Sequence, residues 1–506
     1  MNLSLFKRRT RHLAGILLLL LASCGGSPVP QAEMEMAIQY IKSSNTKADD
    51  KFGTSTVLSA DGNTLAVGSP QPISGEGEVH IFVRSGNTWV QQAHLKASDP
   101  DIFDNFGASL ALSADGHTMA VGAYGEASSS IFNPGDDSLA QAGAAYVFTR
   151  NGTTWTQQTY LKASNIGASD GFGWSVALSA DGRTLAVGAP WESSNTTGTT
   201  SVPNELADYS GAAYVFTRDP ADVWTQQAYV KASNTKPDHG FGISVALSGD
   251  GHTLAVGASW EASGFGGNEA DTSEPGAGAA YTFTRDHLGT WTQQRYLKAS
   301  NIGAYEEFGW SLALSADGHT LAVGAYRENG PGDSMPEAGA AYVFAFSAGD
   351  WHQQALFRGS YPHTLNHFGI RLALTSDGNT LAVGAVHDNS NAIGFNATPT
   401  SNTVVESGAV HVLTREGSTW RQQAYVKASN SRERAELGAV TLSGNGLTWA
   451  FGAPSESSNA KGINGNQADT SAPEAGAVYL VDLNPPGSDG SCTPQTFPSC
   501  RPPAGW

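Results

Sequence analysis

One short stretch of sequence recurs seven times along this 506-residue chain. Its clearest copy, FGWSVALSADGRTLAVGAP, occupies residues 172–190. The copies begin at Phe52, Phe106, Phe172, Phe241, Phe308, Phe368 and, in a degenerate form, at Leu437. The starts lie 54 to 69 residues apart, which is too long for helical or leucine-rich solenoid repeats. A unit of this length suits four β-strands with generous loops.

Each copy divides into four candidate strands. In the copy at residue 172, the run 172–179 places Trp174, Val176 and Leu178 on one face of a strand. An Asp-Gly turn follows. Residues 184–189, 211–218 and 224–233 then supply three further strands, rich in β-branched and aromatic residues. The prediction is an all-β, seven-bladed β-propeller of four-stranded antiparallel blades.

The outer strand of the seventh repeat is missing from its expected place. Six repeats carry a strand-four tryptophan followed by a glutamine pair, at Trp89, Trp155, Trp224, Trp291, Trp351 and Trp420. The seventh repeat lacks it, whereas residues 37–44, AIQYIKSS, match the later part of that strand. We therefore expect a propeller over residues 36–484, closed by an N-terminal strand that pairs with residues 476–483 and covers a sheet edge.

The Phe-Gly opening and the Leu-Ala-Val-Gly-Ala-Pro ending resemble the FG-GAP repeats of integrin α-subunit N-terminal propellers, and still more those of bacterial FG-GAP lipoproteins. The resemblance implies a non-catalytic binding platform, and several integrin blades hold calcium in a D-x-D-x-D-G hairpin. Here the corresponding turns offer one side chain each: Asp61, Asp115, Asp181, Asp250, Asp317, Asp377 and Asn445. One carboxylate cannot supply the six to eight oxygens that calcium prefers. We expect no calcium at these turns and no other cofactor, while metal binding by the long loops stays open.

Residues 1–23 have the layout of a bacterial lipoprotein signal peptide. Four basic residues precede the apolar run 13–21, which is too short to span a bilayer. The sequence Leu21-Ala22-Ser23-Cys24 resembles a lipobox, which implies lipidation of Cys24, followed by a linker over 24–35. An ordinary signal peptide is the alternative. Gly25 follows in place of the inner-membrane retention aspartate, so we predict an exported, lipid-anchored envelope protein at the outer membrane, periplasmic or surface-exposed.

The two remaining cysteines suggest a disulfide, and the net charge limits the classes of partner that the chain can bind. Cys492 and Cys500 lie in the Pro/Gly-rich tail 485–506, where an oxidising compartment favours a disulfide between them. Signal cleavage removes four basic and no acidic residues, so the formal charge changes from −18 to −22. This balance excludes nucleic acid as a partner and favours cations or cationic proteins. The predicted membrane contact is the lipid anchor alone.

The loops that join strands two to three and strands four to one leave a propeller on the same face. All long loops here are of these kinds, such as 191–210, 260–277 and 386–407, and we call this side the long-loop face. An acidic residue opens the strand-two-to-three loop in six repeats: Glu126, Glu192, Glu261, Glu328, Asp388 and Glu456. These carboxylates either form a ring that binds cations or the Lys/Arg groups of a partner, or accept hydrogen bonds from their own loops. Trp174 and Trp310 favour core packing over stacking on sugar rings.

Enzyme signatures are sparse. The chain has no His-Glu-x-x-His, Gly-x-Ser-x-Gly or phosphate-binding glycine loop. We predict a non-catalytic platform that binds a protein or polysaccharide through the long-loop face, in adhesion or envelope interaction. The alternative is an envelope carbohydrate-active or hydrolytic enzyme with two carboxylates at the channel mouth.

Overall fold

The computed structural model describes residues 38–71, 75–86, 88–264 and 268–483. These residues form seven four-stranded antiparallel sheets, which confirms the predicted seven-bladed β-propeller. Apart from one 3-10 turn at Pro331–Asp333, no helix occurs in the described ranges. None of those residues builds a helix long and apolar enough to cross a bilayer. The predicted signal peptide, Cys24, Cys492 and Cys500 lie outside the described residues.

The strands follow the repeat. Blade 1 holds β2 (Ser55–Leu58), β3 (Thr64–Ser69), β4 (Glu78–Ser85) and β5 (Thr88–Leu95). Blade 2 holds β6 (Ser109–Leu112), β7 (Thr118–Ala123), β8 (Ala144–Asn151) and β9 (Thr154–Leu161). Blade 3 holds β10 (Ser175–Leu178), β11 (Thr184–Ala189), β12 (Ala212–Arg218) and β13 (Trp224–Val230). Blade 4 holds β14 (Phe241–Leu247), β15 (Thr253–Ala258), β16 (Ala279–Arg285) and β17 (Trp291–Leu297).

The remaining blades repeat the pattern, and the last one borrows a strand. Blade 5 holds β18 (Ser311–Leu314), β19 (Thr320–Ala325), β20 (Ala340–Ser347) and β21 (Asp350–Phe357). Blade 6 holds β22 (Phe368–Leu374), β23 (Thr380–Ala385), β24 (Ala409–Glu416) and β25 (Thr419–Val426). Blade 7 holds β26 (Ala439–Leu442), β27 (Thr448–Ala453), β28 (Ala477–Asp482) and the N-terminal strand β1 (Ile38–Ile41).

Two features close the ring of seven blades. Strand β1 pairs antiparallel with β28, with Ile38 opposite Val481 and Ile41 opposite Val478, as the sequence predicted. On the opposite side from the long loops, the seven strand-one-to-two turns are joined by backbone hydrogen bonds of 2.8 to 3.1 Å, each from one turn to the turn of the next blade. The last of these runs from Asn445 N back to Ala60 O, so the bonds form a closed circle. The carboxylates of these turns accept hydrogen bonds within their own turn. For example, Asp61 Oδ1 accepts from Ser59 Oγ and Asn63 N.

The Phe-Gly pair fastens neighbouring blades together. Phe172 is fully buried, and its ring packs edge-on against Tyr214 and Phe216, at centroid distances of 5.3 and 6.0 Å. Its backbone forms a parallel bridge to Gly143 of the preceding blade. Burial of such a side chain contributes about 1.5 to 3 kcal/mol. Gly173 has a φ of +94°, and a Cβ there would lie 2.2 Å from the carbonyl oxygen of Ala144, so this position requires glycine.

The strand-four glutamine pairs also join blades, a role that the sequence did not reveal. The indole Nε1 of Trp224 donates to Gln158 Oε1 of the preceding blade at 3.2 Å, and Trp291 donates to Gln227 at 3.1 Å. The first glutamine of the pair reaches back as well, since Gln226 Nε2 donates to Ser164 Oγ at 2.9 Å. The repeat therefore uses its most recurrent polar side chains for contacts between sheets.

Candidate functional site

The six loop carboxylates lie inside the blades. Glu126, Glu192, Glu261, Glu328, Asp388 and Glu456 are all buried, with at most 2% of each residue exposed. Five of them accept a hydrogen bond from a backbone N–H of their own loop, as in Ser194 N to Glu192 Oε2 at 3.1 Å. Each also binds a cation that follows the outer strand of its own blade: Lys162, Lys231, Lys298, Arg358, Lys427 and Lys42.

Blade 3 shows the full set of contacts. Lys231 Nζ lies 2.7 Å from Glu192 Oε2, and it also donates to Ser210 Oγ and to the carbonyl of Gly211. The hydroxyl of Tyr229 donates to Glu192 Oε1 at 2.7 Å. Asn165 Nδ2, from the connection that enters the blade, donates to the same oxygen at 3.0 Å. The hypothesis of a ligand-binding acidic ring is therefore corrected: these carboxylates bind the chain's own cations and are closed to a partner.

A second set of buried acids, which the sequence reading did not single out, stands two residues before the Phe of four repeats. Burial is the largest influence and raises the pKa of Asp50 to about 6 and the pKa values of Asp104, Asp170 and Glu306 to about 7. Nearby loop carboxylates raise the last three further, for example Glu192 beside Asp170. The folded protein therefore holds protons on these groups that an unfolded chain releases near pH 4.

This difference predicts that the four acids make stability fall as pH rises from about 4 to 7. We expect the variant Asp104→Asn, Asp170→Asn, Glu306→Gln, which keeps an acceptor oxygen at each site, to gain stability over the parent protein as pH increases. A tenfold change in acid dissociation is worth about 1.4 kcal/mol, so the gain between pH 5 and pH 8 is about 1 to 3 kcal/mol per site. Thermal melts of both proteins at the two pH values check this. An equal difference at pH 5 and pH 8 would contradict it.

The central channel opens on the long-loop face into a cavity of about 460 Å³. Strand one of every blade lines it, through the residues that follow each Phe-Gly pair, such as Thr54, Trp174, Ile243 and Trp310. Trp174 and Trp310 are therefore half-buried in the channel wall, and the expectation that they pack in the core is wrong. The positive φ of the preceding glycine turns the chain, so the next side chain points into the channel rather than between sheets.

Aromatic side chains cluster at this mouth. Trp174 packs against Tyr124 and Trp191, at centroid distances of 4.8 and 4.9 Å, and Trp310 packs against Tyr326 at 4.9 Å. A neighbouring cavity of about 410 Å³ lies between Trp191 and Trp260. Sequence reasoning overlooked Tyr124, Trp191, Trp260 and Tyr326. The sequence signal that could have revealed them is at the end of strand two. The residues directly after its nearly constant Val-Gly-Ala ending differ from blade to blade.

Few charged groups reach the channel. The charged residues that line the cavity are Lys51, Arg371 and one carboxylate, Glu436. Glu436 accepts a hydrogen bond from Ser455 Oγ at 2.8 Å. Arg371 is exposed to the channel, and among the residues that the structure describes it has no carboxylate within ion-pair distance. The mouth therefore combines aromatic faces with a cation, which suits apolar and polar contacts with a ligand.

Exposed apolar side chains concentrate on the long-loop face. Among the residues that the structure describes, fourteen large apolar side chains are exposed, and eleven of them lie in the loops of this face: Ile102, Phe103, Ile131, Phe132, Val202, Leu206, Tyr209, Tyr305, Tyr361, Leu365 and Val405. Phe132 is 89% exposed and Val202 is 81% exposed. The opposite face presents Val223 and Leu288 on its strand-three-to-four turns. Such asymmetry marks the long-loop face as the side that is suited to association.

Four segments of the chain match the family model described as FG-GAP repeat: residues 89–148, 155–216, 224–283 and 291–344. Each match starts at a strand-four tryptophan and ends at a strand-three phenylalanine, so each unit spans two neighbouring blades. Together with the seven-bladed fold, these matches support an FG-GAP β-propeller, a fold that in general suggests a platform for protein interactions. No curated protein matches the sequence significantly.

Proposed function

We propose that this chain is a non-catalytic binding protein of the bacterial cell envelope, lipid-anchored through Cys24, which captures a protein partner on its long-loop face. The observation that carries the proposal is the segregation of exposed apolar side chains onto that face. Apolar and aromatic groups of this kind dominate the energetics of protein interfaces. The strong negative charge of the chain adds attraction for a cationic partner.

A polysaccharide is the second candidate partner, and the aromatic side chains at the channel mouth favour it. Flat apolar faces such as those of Trp174 and Trp310 offer surfaces on which sugar rings pack. The enzyme alternative has less support from the cavity. Glycoside hydrolysis uses two carboxyl groups about 5 to 9.5 Å apart, and the residues that line the described channel include one carboxylate, Glu436.

The experiment immobilises the chain from Cys24 onward, without the lipid, and captures partners from envelope extracts. One variant, Phe132→Ser with Leu206→Ser, changes the long-loop face, and a matched variant, Val223→Ser with Leu288→Ser, changes the opposite face. We expect the first variant to lose about tenfold or more in partner capture, because exposed apolar anchors carry interface energy, and the second variant to bind as the parent does. Equal capture by both variants would contradict the proposal.

Treatment of the extract separates the candidate partners. If protease treatment abolishes capture and periodate oxidation spares it, the partner is a protein. The converse result, accompanied by loss of capture in a Trp174→Ala variant, identifies a polysaccharide. Turnover of envelope glycans by the parent protein that Glu436→Gln abolishes would favour the enzyme alternative.

A further inference from the structure

Blade 1 departs from the repeat at four positions, and three of them, Glu78, His80 and His94, come together in space. Pro72 occupies the sequence position at which the other six blades have their loop carboxylate. Glu78 stands where those blades begin strand three with alanine, since it pairs with Ser69 as Ala212 pairs with Ala189 in blade 3. The tyrosine pair Tyr214 and Tyr229 of blade 3 corresponds to a histidine pair, His80 and His94, in blade 1.

The carboxylate of Glu78 takes over the position of the missing loop carboxylate. Asn45 Nδ2 donates to Glu78 Oε2 at 2.9 Å, as Asn165 donates to Glu192 in blade 3. However, Lys96, which corresponds to the buried cation of the other blades, does not bind this carboxylate closely. Lys96 binds Glu76 at 2.7 Å and lies 3.6 Å from Glu78, with 41% of its side chain exposed. Glu78 is therefore a buried carboxylate without the buried lysine that neutralises its counterparts.

The two histidines converge on this carboxylate. The rings of His80 and His94 stack in parallel, 4.9 Å between centroids, and their Nε2 atoms lie 3.6 and 2.8 Å from Glu78 Oε2. The three ligand atoms lie within 4.8 Å of one another, and no other trio of His, Cys, Asp or Glu does so within the described ranges. Bond lengths of 2.0 to 2.2 Å to zinc in a tetrahedral site require ligand atoms about 3.3 Å apart. The present spacing needs small side-chain adjustments to meet this.

An unsatisfied oxygen lies beside the cluster. Asn45 Oδ1 is buried and has no hydrogen-bond partner in the described structure. In blade 3 the equivalent oxygen, Asn165 Oδ1, accepts from the hydroxyl of Tyr214 at 2.9 Å, and His80 replaces that tyrosine in blade 1. A water molecule bound to a metal ion would supply the missing donor.

We propose that Glu78, His80 and His94 bind a divalent transition-metal ion of the zinc class, with water as the fourth ligand. Two imidazoles and one carboxylate form a donor set that zinc accepts readily. His94 is partly exposed and offers a path for the ion. Because Asn45 follows the closing strand β1, the site lies at the seam of the ring.

The experiment titrates the untagged, metal-free chain from Cys24 onward with cobalt(II), followed by competition with zinc(II). We expect one equivalent of cobalt to give the intense visible absorption of a four-coordinate N/O site, which zinc removes. The test variant is His80→Tyr with His94→Tyr, because tyrosine already occupies both positions in blades 2, 3 and 4. The matched control is His411→Tyr in blade 6, a histidine at the same strand-three position facing Tyr425.

We expect the double variant to lose about 100-fold or more in affinity, since two of three ligands are gone, while His411→Tyr binds as the parent does. The single variant His94→Tyr repeats the test at a more exposed position if the double variant folds poorly. Absence of stoichiometric cobalt binding by the parent, retention of binding in the tyrosine variants, or equal loss in His411→Tyr would each overturn the proposal.

Discussion

Replacing Lys231 by methionine is expected to cost about 3 to 5 kcal/mol of the free energy of unfolding. The side chains of Lys231 and Glu192 are both fully buried, and Glu192 would keep its negative charge without a counter-ion. The lysine also donates to Ser210 Oγ and Gly211 O, which would lose their donor. Chemical denaturation followed by tryptophan fluorescence measures the loss.

The matched control is Lys96→Met, at the same strand position in blade 1. Its side chain is 41% exposed and pairs with an equally exposed Glu76, so the expected loss is below about 1 kcal/mol. Adding Glu192→Gln to Lys231→Met should restore part of the stability, because the uncompensated charge is removed. Similar losses for Lys231→Met and Lys96→Met would contradict the internal role of the loop carboxylates.

Replacing Gly173 by alanine is expected to be as damaging, with a loss of about 3 to 5 kcal/mol. Its φ of +94° strains any residue with a Cβ, and that atom would lie 2.2 Å from the carbonyl oxygen of Ala144 in the preceding blade. Both groups belong to backbone held between two sheets, so neither can move without separating the blades. Thermal melting and the yield of soluble protein measure the effect.

Gly152→Ala provides the control for this substitution. Gly152 also has a positive φ, +62°, but nothing lies within 4 Å of a Cβ placed there. Only the backbone penalty of about 1 to 2 kcal/mol applies. If the two alanine variants melt at the same temperature, close contact between blades is not the reason for the glycine in the Phe-Gly pair.

The fold was accessible from the sequence because seven copies of one pattern set the number of blades, and because the missing outer strand of the last repeat matched residues 37–44. Strand one was placed too early in blade 3, the repeat for which its bounds were predicted. The prediction began at Phe172, while β10 begins at Ser175. The positive φ of Gly173 bends the chain there, and Phe172 bridges the preceding blade instead of its own sheet.

The candidate site could be predicted only in part from the sequence. The acidic positions were found by their period, but their role depends on a lysine from the outer strand that reaches the same point through the fold. The pattern Tyr-x-Lys of strand four carried this information, as in Tyr229 and Lys231, without showing where the ammonium ends. The channel-lining tryptophans were assigned to the core because the prediction assumed the regular in–out alternation of a strand. The glycine just before each tryptophan turns the chain, and the alternating pattern does not include this turn. Blade 1 could have been recognised as exceptional, since Pro72, Glu78, His80 and His94 all break the repeat.

The claim that the long-loop face is the recognition surface is tested most directly by photo-crosslinking in intact cells. A photoreactive amino acid is placed at position 206, on the long-loop face, or at position 288, on the opposite face, where the native leucines are 72% and 79% exposed. We expect a discrete crosslinked partner from position 206 and none from position 288. A partner crosslinked from position 288, with none from position 206, would contradict it.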